Sequence, residues 1–241
     1  MAENPIRYSI IEEKNPREIL MLRGKGCAWK RCTFCDYHLD ASLDEAENFK
    51  INLAEIEKVT GKYHHLEVIN SGSFCELDAN TMDAIRRKCK EKAIHTIHFE
   101  THWMYRRKIQ ELRDFFGEIG TTVKVKIGVE TFDEAFRETV FQKGMPHATA
   151  EDIASYCDEV CLLFGITGQT VDSMRRDIET GLAHFERVCV NIMVPNTTSV
   201  VPDAAVIRLF KEKLYDQYID NPRVDILLNN TDFGVGGEEN A

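Results

Sequence analysis

Three cysteines lie close together in the segment RGKGCAWKRCTFCDYHLD: Cys27, four intervening residues, Cys32, two more, then Cys35. Thiolates are soft ligands, and three at this spacing suit iron–sulfur or zinc chemistry. Three thiolates can hold three irons of a 4Fe–4S cluster and leave the fourth iron without a protein ligand. With His38 added, the same residues make a Cys₃His set of the kind that binds zinc. Gly24 and Gly26 give the backbone room to turn around either group. The remaining cysteines, Cys75, Cys89, Cys157, Cys161 and Cys189, show no second spacing of this type and read as small apolar packing residues. Cys75 stands apart from them because it directly follows a Gly-containing turn. A disulfide scaffold does not suit a chain of 241 residues with a polar, acidic start.

Elements must bring these thiols to a working face. Apolar, β-rich runs occur at Glu18–Arg23, Leu66–Asn70, His95–Glu100, Val123–Val129, Glu159–Phe164 and Val188–Met193. They are nearly continuous in Val, Ile and Leu, as expected for parallel strands covered on both faces. Helical patterns separate them, at about Leu53–Thr60, Asn80–Lys92, Met104–Ile119, Asp133–Phe141, Ala150–Asp158 and Val171–Phe185. Thr149 and Thr170 stand where N-caps belong. Strand-then-helix units in succession imply a parallel α/β sheet with right-handed crossovers. A helix near Ala204–Tyr218, a short apolar run at Val224–Leu228 and a polar, Gly-bearing tail from Asn229 complete the chain. No linker or repeat marks a boundary, so residues 1–241 read as one domain, with 200–241 as a closing helix, short strand and tail. The cysteine segment follows the first of these strands, which puts it at a carboxyl end, where ligands gather in such folds. A zinc knot usually staples a small module, which a chain opening a parallel α/β fold does not need.

The 30 Lys and Arg stand against 40 Asp and Glu, a formal net charge of −10. That balance argues against a broad phosphate-binding surface. The composition, 43% hydrophobic and 29% charged, is that of a globular protein. No uncharged apolar run is long enough to span a bilayer. The polar start, with Glu3, Glu12, Glu13 and Lys14, does not read as a signal peptide, so the cytoplasm is the expected location.

With the cysteine segment and these strands in view, the chain resembles the radical S-adenosylmethionine (SAM) superfamily over nearly its whole length. The usual signature has three residues between the first two cysteines, and here there are four. Phe34, just before Cys35, matches the aromatic position that packs near the adenine of SAM. Asn70, Ser71, Gly72 and Ser73, in the run INSGSF, stand where the family receives the SAM amino group. Glu130 and Thr131, in KIGVETF, match the segment that approaches the ribose or carboxylate. LFGITGQT, from Leu163 to Thr170, resembles the Gly-bearing loop near the adenine, and Asn191 and Val194 match adenine-contact positions at the end of the following strand. The resemblance implies an α/β fold, a parallel (β/α)₆ partial barrel. It further implies a 4Fe–4S cluster on Cys27, Cys32 and Cys35, SAM as the second cofactor, and a 5′-deoxyadenosyl radical that abstracts hydrogen. An external donor such as flavodoxin or ferredoxin would supply the electron. No general acid or base is needed for the first step, so no catalytic triad is expected.

The compact length leaves no room for a cobalamin, auxiliary-cluster or RNA-binding module, so the substrate should be small or be presented by a partner. Within the superfamily the length and the cysteine segment most resemble the bacterial queuine lyases. That resemblance implies queuine, a modified deazaguanine base, as substrate and 7-aminomethyl-7-deazaguanine as product. With the charge of −10 it implies a free base in preference to tRNA. Candidate substrate contacts are Trp29, Tyr37 and His38 beside the cysteines, Glu100 and His102 at the end of the third strand, and Asn229, Asn230 and Asp232 after the last apolar run. Glu100, Asp232 and the Asn229/Asn230 pair could pair with the base edge, and Tyr37 or Trp29 could stack on its ring. His64, His65, His95 and His98 read as surface or core histidines, and Asp44, Glu45 and Glu47 as a solvated loop or helix start. Other small substrates of a radical SAM enzyme, and a zinc-stapled α/β binding protein without redox chemistry, remain as alternatives.

Overall fold

The computed structural model describes residues 5–238, which divide into two compact units. The first unit takes its described residues from 5–30, 37–125 and 233–238, and the second consists of Arg31–Asp36 and Lys126–Asp232.

In the first unit, β2 (Arg17–Leu22), β3 (His65–Asn70) and β4 (Thr96–Thr101) pair in parallel. The sequence reading missed β1 (Tyr8–Ile11), which runs antiparallel to β2 with every residue only half-buried. The helices are α1 (Glu45–Ile56), α2 (Ala79–Glu91) and α3 (Ile109–Gly117), the last preceded by a 3₁₀ segment at Trp103–Lys108. Helix α1 starts eight residues earlier than its periodicity suggested, because the Asp44 carboxylate accepts from the Ala46 and Glu47 amides and so caps it there. Asp78 caps α2 in the same way, through Thr81. Ile19, Leu20, Leu22, Val68, Ile97, Phe99, Ile85 and Phe116 make the core of this unit.

Strand β5 (Thr122–Glu130) enters the second unit at Lys126. There β5, β6 (Glu159–Phe164), β7 (Arg187–Ile192) and β8 (Val224–Leu227) pair in parallel and in chain order. Helices α4 (Glu134–Thr139) and α5 (Ala150–Ala154) precede β6, and α6 (Val171–His184) precedes β7. Thr149 and Thr170 cap α5 and α6, each in a reciprocal capping box, as the sequence indicated. The final helix runs as α7 (Ala204–Phe210), a π-helical turn at Lys211–Tyr215 and a last α turn, α8 (Asp216–Tyr218). Val129, Val160, Leu162, Phe164, Val190, Phe210 and Leu214 are the inner residues.

The described residues therefore make a mostly parallel α/β fold of eight strands, of which β1 lies outside the apolar runs of the sequence and β8 matches the short run at Val224–Leu228. The strands are less apolar on one face than those runs implied. In the first unit the register sets Ile19 beside Glu67 and Glu67 beside His98. Glu67 is buried and takes the buried Arg17 guanidinium at 2.5 Å, and the His65 and His98 rings meet edge to edge through their Nε2 atoms. His64 stacks on His95 at a centroid distance of 4.8 Å. In the second unit Arg187 bonds Asp225 at 2.5 Å and lies 3.7 Å from Glu159. Buried charge held this way is tolerated only when paired. Among the described residues no helix is long and apolar enough to cross a membrane.

Candidate active site

In the first unit, the carboxyl ends of β2, β3 and β4 carry a connected set of loops. Cys27 is half-buried, and its amide donates to the Ser71 carbonyl at 3.2 Å. The turn after β3 closes on itself: the Gly72 amide donates to the Asn70 carbonyl at 2.7 Å, and Asn70 Nδ2 to the Ser73 carbonyl at 3.1 Å. Ser71 donates its hydroxyl to the Asp40 carbonyl at 2.7 Å, while Ser73 accepts from the His102 amide at 2.8 Å. Asn70, Ser71 and Ser73 are all buried.

One residue that sequence reasoning overlooked organises these loops. Glu76 is 1% exposed, and its carboxylate accepts from the Ala28 amide at 2.7 Å, from the Tyr105 hydroxyl at 3.1 Å and from the Ser73 amide. Its carbonyl accepts from the Lys25 amide at 3.1 Å. The cysteine segment, the post-β3 turn and the 3₁₀ segment after β4 thus meet at one side chain. The signal was present in the sequence, since Ser73-x-x-Glu76 is a capping box. Burial, and then the neighbouring Glu76 carboxylate, push the Tyr105 hydroxyl above its ordinary pKa. Gly72 leaves space the cluster of contacts needs: a Cβ there would lie 2.1 Å from Glu76 Oε2 and 3.1 Å from Cys27 Cα.

The candidate substrate residues of this unit divide. Trp29 and His102 stand together, rings stacked with centroids 5.3 Å apart and planes 20° from parallel. His102 is buried and its Nδ1 accepts from the Met104 amide at 3.2 Å. Glu100 is half-buried on β4. Tyr37 and His38 are exposed on a 3₁₀ turn, with Tyr37 at 49%. Cys75 is half-buried, and burial followed by Glu76 pushes its thiol up to about 11, which makes it a poor nucleophile. Cys89, Cys157 and Cys189 are buried as expected of packing residues, whereas Cys161 is only half-buried.

In the second unit, the segment carrying Cys32 and Cys35 is laid along the chain that follows α4. The Thr33 amide donates to the Phe141 carbonyl at 3.2 Å and its hydroxyl to the Val140 carbonyl at 2.5 Å. Phe34 sits edge-on to Phe141 at 5.1 Å, in an apolar cluster with Leu163, Ile166 and Met193. Asn196 donates to the Phe34 carbonyl at 2.7 Å, and Asp36 accepts from the amide and hydroxyl of Thr197. These bonds hold the backbone on either side of Cys35.

Strand β5 ends in a bulge between Gly128 and Glu130, and Glu130 takes a left-handed φ of 69°. Such a conformation costs a non-glycine residue energy and marks a position that its surroundings enforce. The enforcing contact is an ion pair: Lys143 Nζ donates to Glu130 Oε1 at 2.8 Å, both side chains buried. The Lys143 ammonium also lies 5.5 Å from the centroid of the Phe34 ring. Burial pulls its pKa down, but Glu130 and the sulfurs of Cys32 and Cys35 outweigh burial and raise it, so the ammonium stays charged. Sequence reasoning missed Lys143 because its loop, Gln142 to Thr149, has no periodicity.

Next to Glu130, Thr131 donates its hydroxyl to Asp177 at 2.8 Å, and the Phe132 amide donates to the other Asp177 oxygen, also at 2.8 Å. Burial pushes the Asp177 carboxyl up to about 6. Asn191 and Val194 are half-buried at and beyond the end of β7. Asn229 and Asp232 close a turn on one another, at 2.9 and 3.3 Å, and these two and Asn230 are exposed. The tail residues 239–241 lie outside the described residues.

Among the described residues, no three His, Cys, Asp or Glu side chains gather around a single ion-sized point. Three thiolate donors are the ligand chemistry that a 4Fe–4S cluster takes. All three cysteines are half-buried, and backbone beside each of them is bonded in place.

A solved structure described as queuine lyase from Clostridium spiroforme bound to SAM and queuine is 40% identical to this chain, with a TM-score of 0.92; the match covers 97% of this chain and 100% of that one. A Bacillus subtilis structure described as the sporulation-specific glycosylase ydhD matches at 9% identity and a TM-score of 0.35, covering 86% of this chain and 78% of that one. No protein-family model and no curated protein matches.

Proposed function

The chain belongs to the queuine lyases of the radical SAM superfamily, and from that membership we propose that it acts on queuine to release 7-aminomethyl-7-deazaguanine. The observation that carries this reading is the whole-length likeness, at 40% identity, to a queuine lyase bound to SAM and queuine. We read the fold as the (β/α)₆ partial barrel of the superfamily and the chain as one domain. Cys27, Cys32 and Cys35 are the residues that would hold a 4Fe–4S cluster, a reading supported by their spacing and partial exposure. When bound, cluster and SAM supply one-electron chemistry that ends in hydrogen abstraction from the substrate and scission of its carbon–nitrogen bond.

The chain's own residues bind, orient and exclude water. The Asn70–Ser73 turn offers carbonyl and hydroxyl oxygens to the SAM amino group, with Gly72 permitting close approach. Phe34, Asn191 and Val194 supply apolar and amide contacts for the adenine, and Glu130 and Thr131 approach the ribose or carboxylate. Trp29, backed by His102, gives a flat face on which a deazaguanine ring can stack. Glu100, Tyr37, His38, Asn229, Asn230 and Asp232 are the further substrate candidates, with carboxylates suited to the base's amide N–H and exocyclic amine. The net charge of −10 favours the free base over tRNA, and the electron is assigned to a flavodoxin or ferredoxin in the cytoplasm.

The test is product analysis after anaerobic reconstitution with iron and sulfide. The expected result is 5′-deoxyadenosine together with 7-aminomethyl-7-deazaguanine when SAM, reductant and queuine are all present. SAM cleavage that leaves queuine untouched would reject the substrate, and zinc without labile sulfide would reject the radical chemistry.

A further inference from the structure

We propose that the buried Lys143–Glu130 pair is an electrostatic regulator of the iron–sulfur cluster, its ammonium favouring the reduced cluster and its carboxylate limiting that effect. The inference rests on the reading of Cys32 and Cys35 as cluster ligands. Four observations support it. Thr33, between those two cysteines, is bonded to Val140 and Phe141, which brings the ligand segment alongside the chain leading into Lys143. The ammonium then lies 5.5 Å from the ring of Phe34, the residue directly before Cys35. The pair is buried, so water screens it little. Its position is also enforced: Gly128 provides the space, since a Cβ there would lie 2.5 Å from Glu130 Oε1 and 3.0 Å from Lys143 Nζ, and Glu130 accepts a left-handed backbone to reach it.

A purely structural ion pair is a poor explanation for this arrangement. Two apolar side chains would fill the same space without the desolvation cost of two charges, and without a strained Glu130. A fixed charge beside a redox centre has a use that an apolar pair lacks. Three thiolates leave a cluster of two ferric and two ferrous irons with a net negative charge, and reduction adds one more. A nearby ammonium stabilises the more negative state, a carboxylate opposes it, and the midpoint potential follows the balance. Lys143 and Glu130 are thus positioning residues for charge and take no part in bond breaking through this role.

The experiment is a redox titration of the reconstituted protein without SAM, followed by the electron paramagnetic resonance of the reduced cluster. Iron, sulfide and thermal stability are measured on each variant. Lys143→Met is expected to move the midpoint to a more negative value and Glu130→Gln to a more positive one. The double variant should return towards the parent, and Lys143→Arg should stay close to it. Potentials unmoved in loaded Lys143→Met and Glu130→Gln, with only stability lost, would overturn the proposal and leave the cluster reading intact. Where Lys143→Met fails to fold, Glu130→Gln and the double variant decide by the same signs. A parent protein that takes up no iron and sulfide would overturn the cluster reading itself, and with it the proposal.

Discussion

The carboxylate of Glu76 holds the amide of Ala28 at 2.7 Å, one residue beyond Cys27 in the chain and across the turn from Ser73. This buried acceptor is shared among three segments, so its removal should be felt well beyond its own turn. Glu76→Ala would leave the Ala28 and Ser73 amides and the Tyr105 hydroxyl without their acceptor. A loss of about 3–5 kcal/mol is expected by urea unfolding of the apoprotein. Glu76→Gln keeps one acceptor oxygen and should lose about 1–2 kcal/mol. A Glu76→Ala protein as stable as the parent would contradict the central place given to this residue.

Gly128 makes room for the Glu130–Lys143 pair. Gly128→Ala should cost about 1–3 kcal/mol, the usual price of overpacking, because the side-chain ends it meets are buried and bonded to each other. Thermal unfolding of the variant beside Gly117→Ala checks this, since Gly117 has open space around its missing Cβ and should change stability little.

Asp177 should give the fold an acid-side signature. Its folded pKa of about 6 lies above its ordinary 3.8, so between these values the folded protein keeps a proton that the unfolded chain releases. The stability from this group is therefore present at low pH and is lost as pH rises through about 6. From about pH 4.5 to about pH 7.5 its share of stability should fall by ~2 kcal/mol. Asp177→Asn should lack that fall, read as the difference between variant and parent urea midpoints at the two pH values. Parallel curves for the two proteins would show that the carboxyl is ionised throughout.

Trp29 should matter for the base and not for the cofactor. Trp29→Ala is expected to raise the KM for queuine about tenfold, equivalent to ~1.4 kcal/mol of stacking and burial. Stabilisation of the protein by SAM in a thermal shift assay should persist. An unchanged KM would remove Trp29 from the substrate pocket and leave it as packing for His102.

The sequence showed the parallel strands well, because β2 through β7 are compact apolar runs and an interior strand has few other ways to be satisfied. Strand β1 was hidden for another reason: it is only four residues long, half-buried throughout, and held by antiparallel pairing to a strand beyond a turn. The cysteines announced themselves by spacing, and the Asn70–Ser73 turn by its glycine and position. Lys143 did not, since it acts through burial and through partners brought close by folding, which no local pattern encodes, and of Glu76 only the capping box with Ser73 was legible. The paired histidines followed the same rule. His65 and His98 lie 33 positions apart and meet only because β3 and β4 are neighbours.

Gly72 and Gly128 have a consequence for how this protein can change over generations. Any single-base change of a glycine codon that replaces the glycine with another amino acid adds a Cβ, and at these positions that atom would fall on Glu76 or on the Glu130–Lys143 pair. Neither site therefore has a neutral amino-acid replacement one mutation away. Drift at them must wait for Glu76, Glu130 or Lys143 to move first, so lineages that keep these three charged residues should keep both glycines with them.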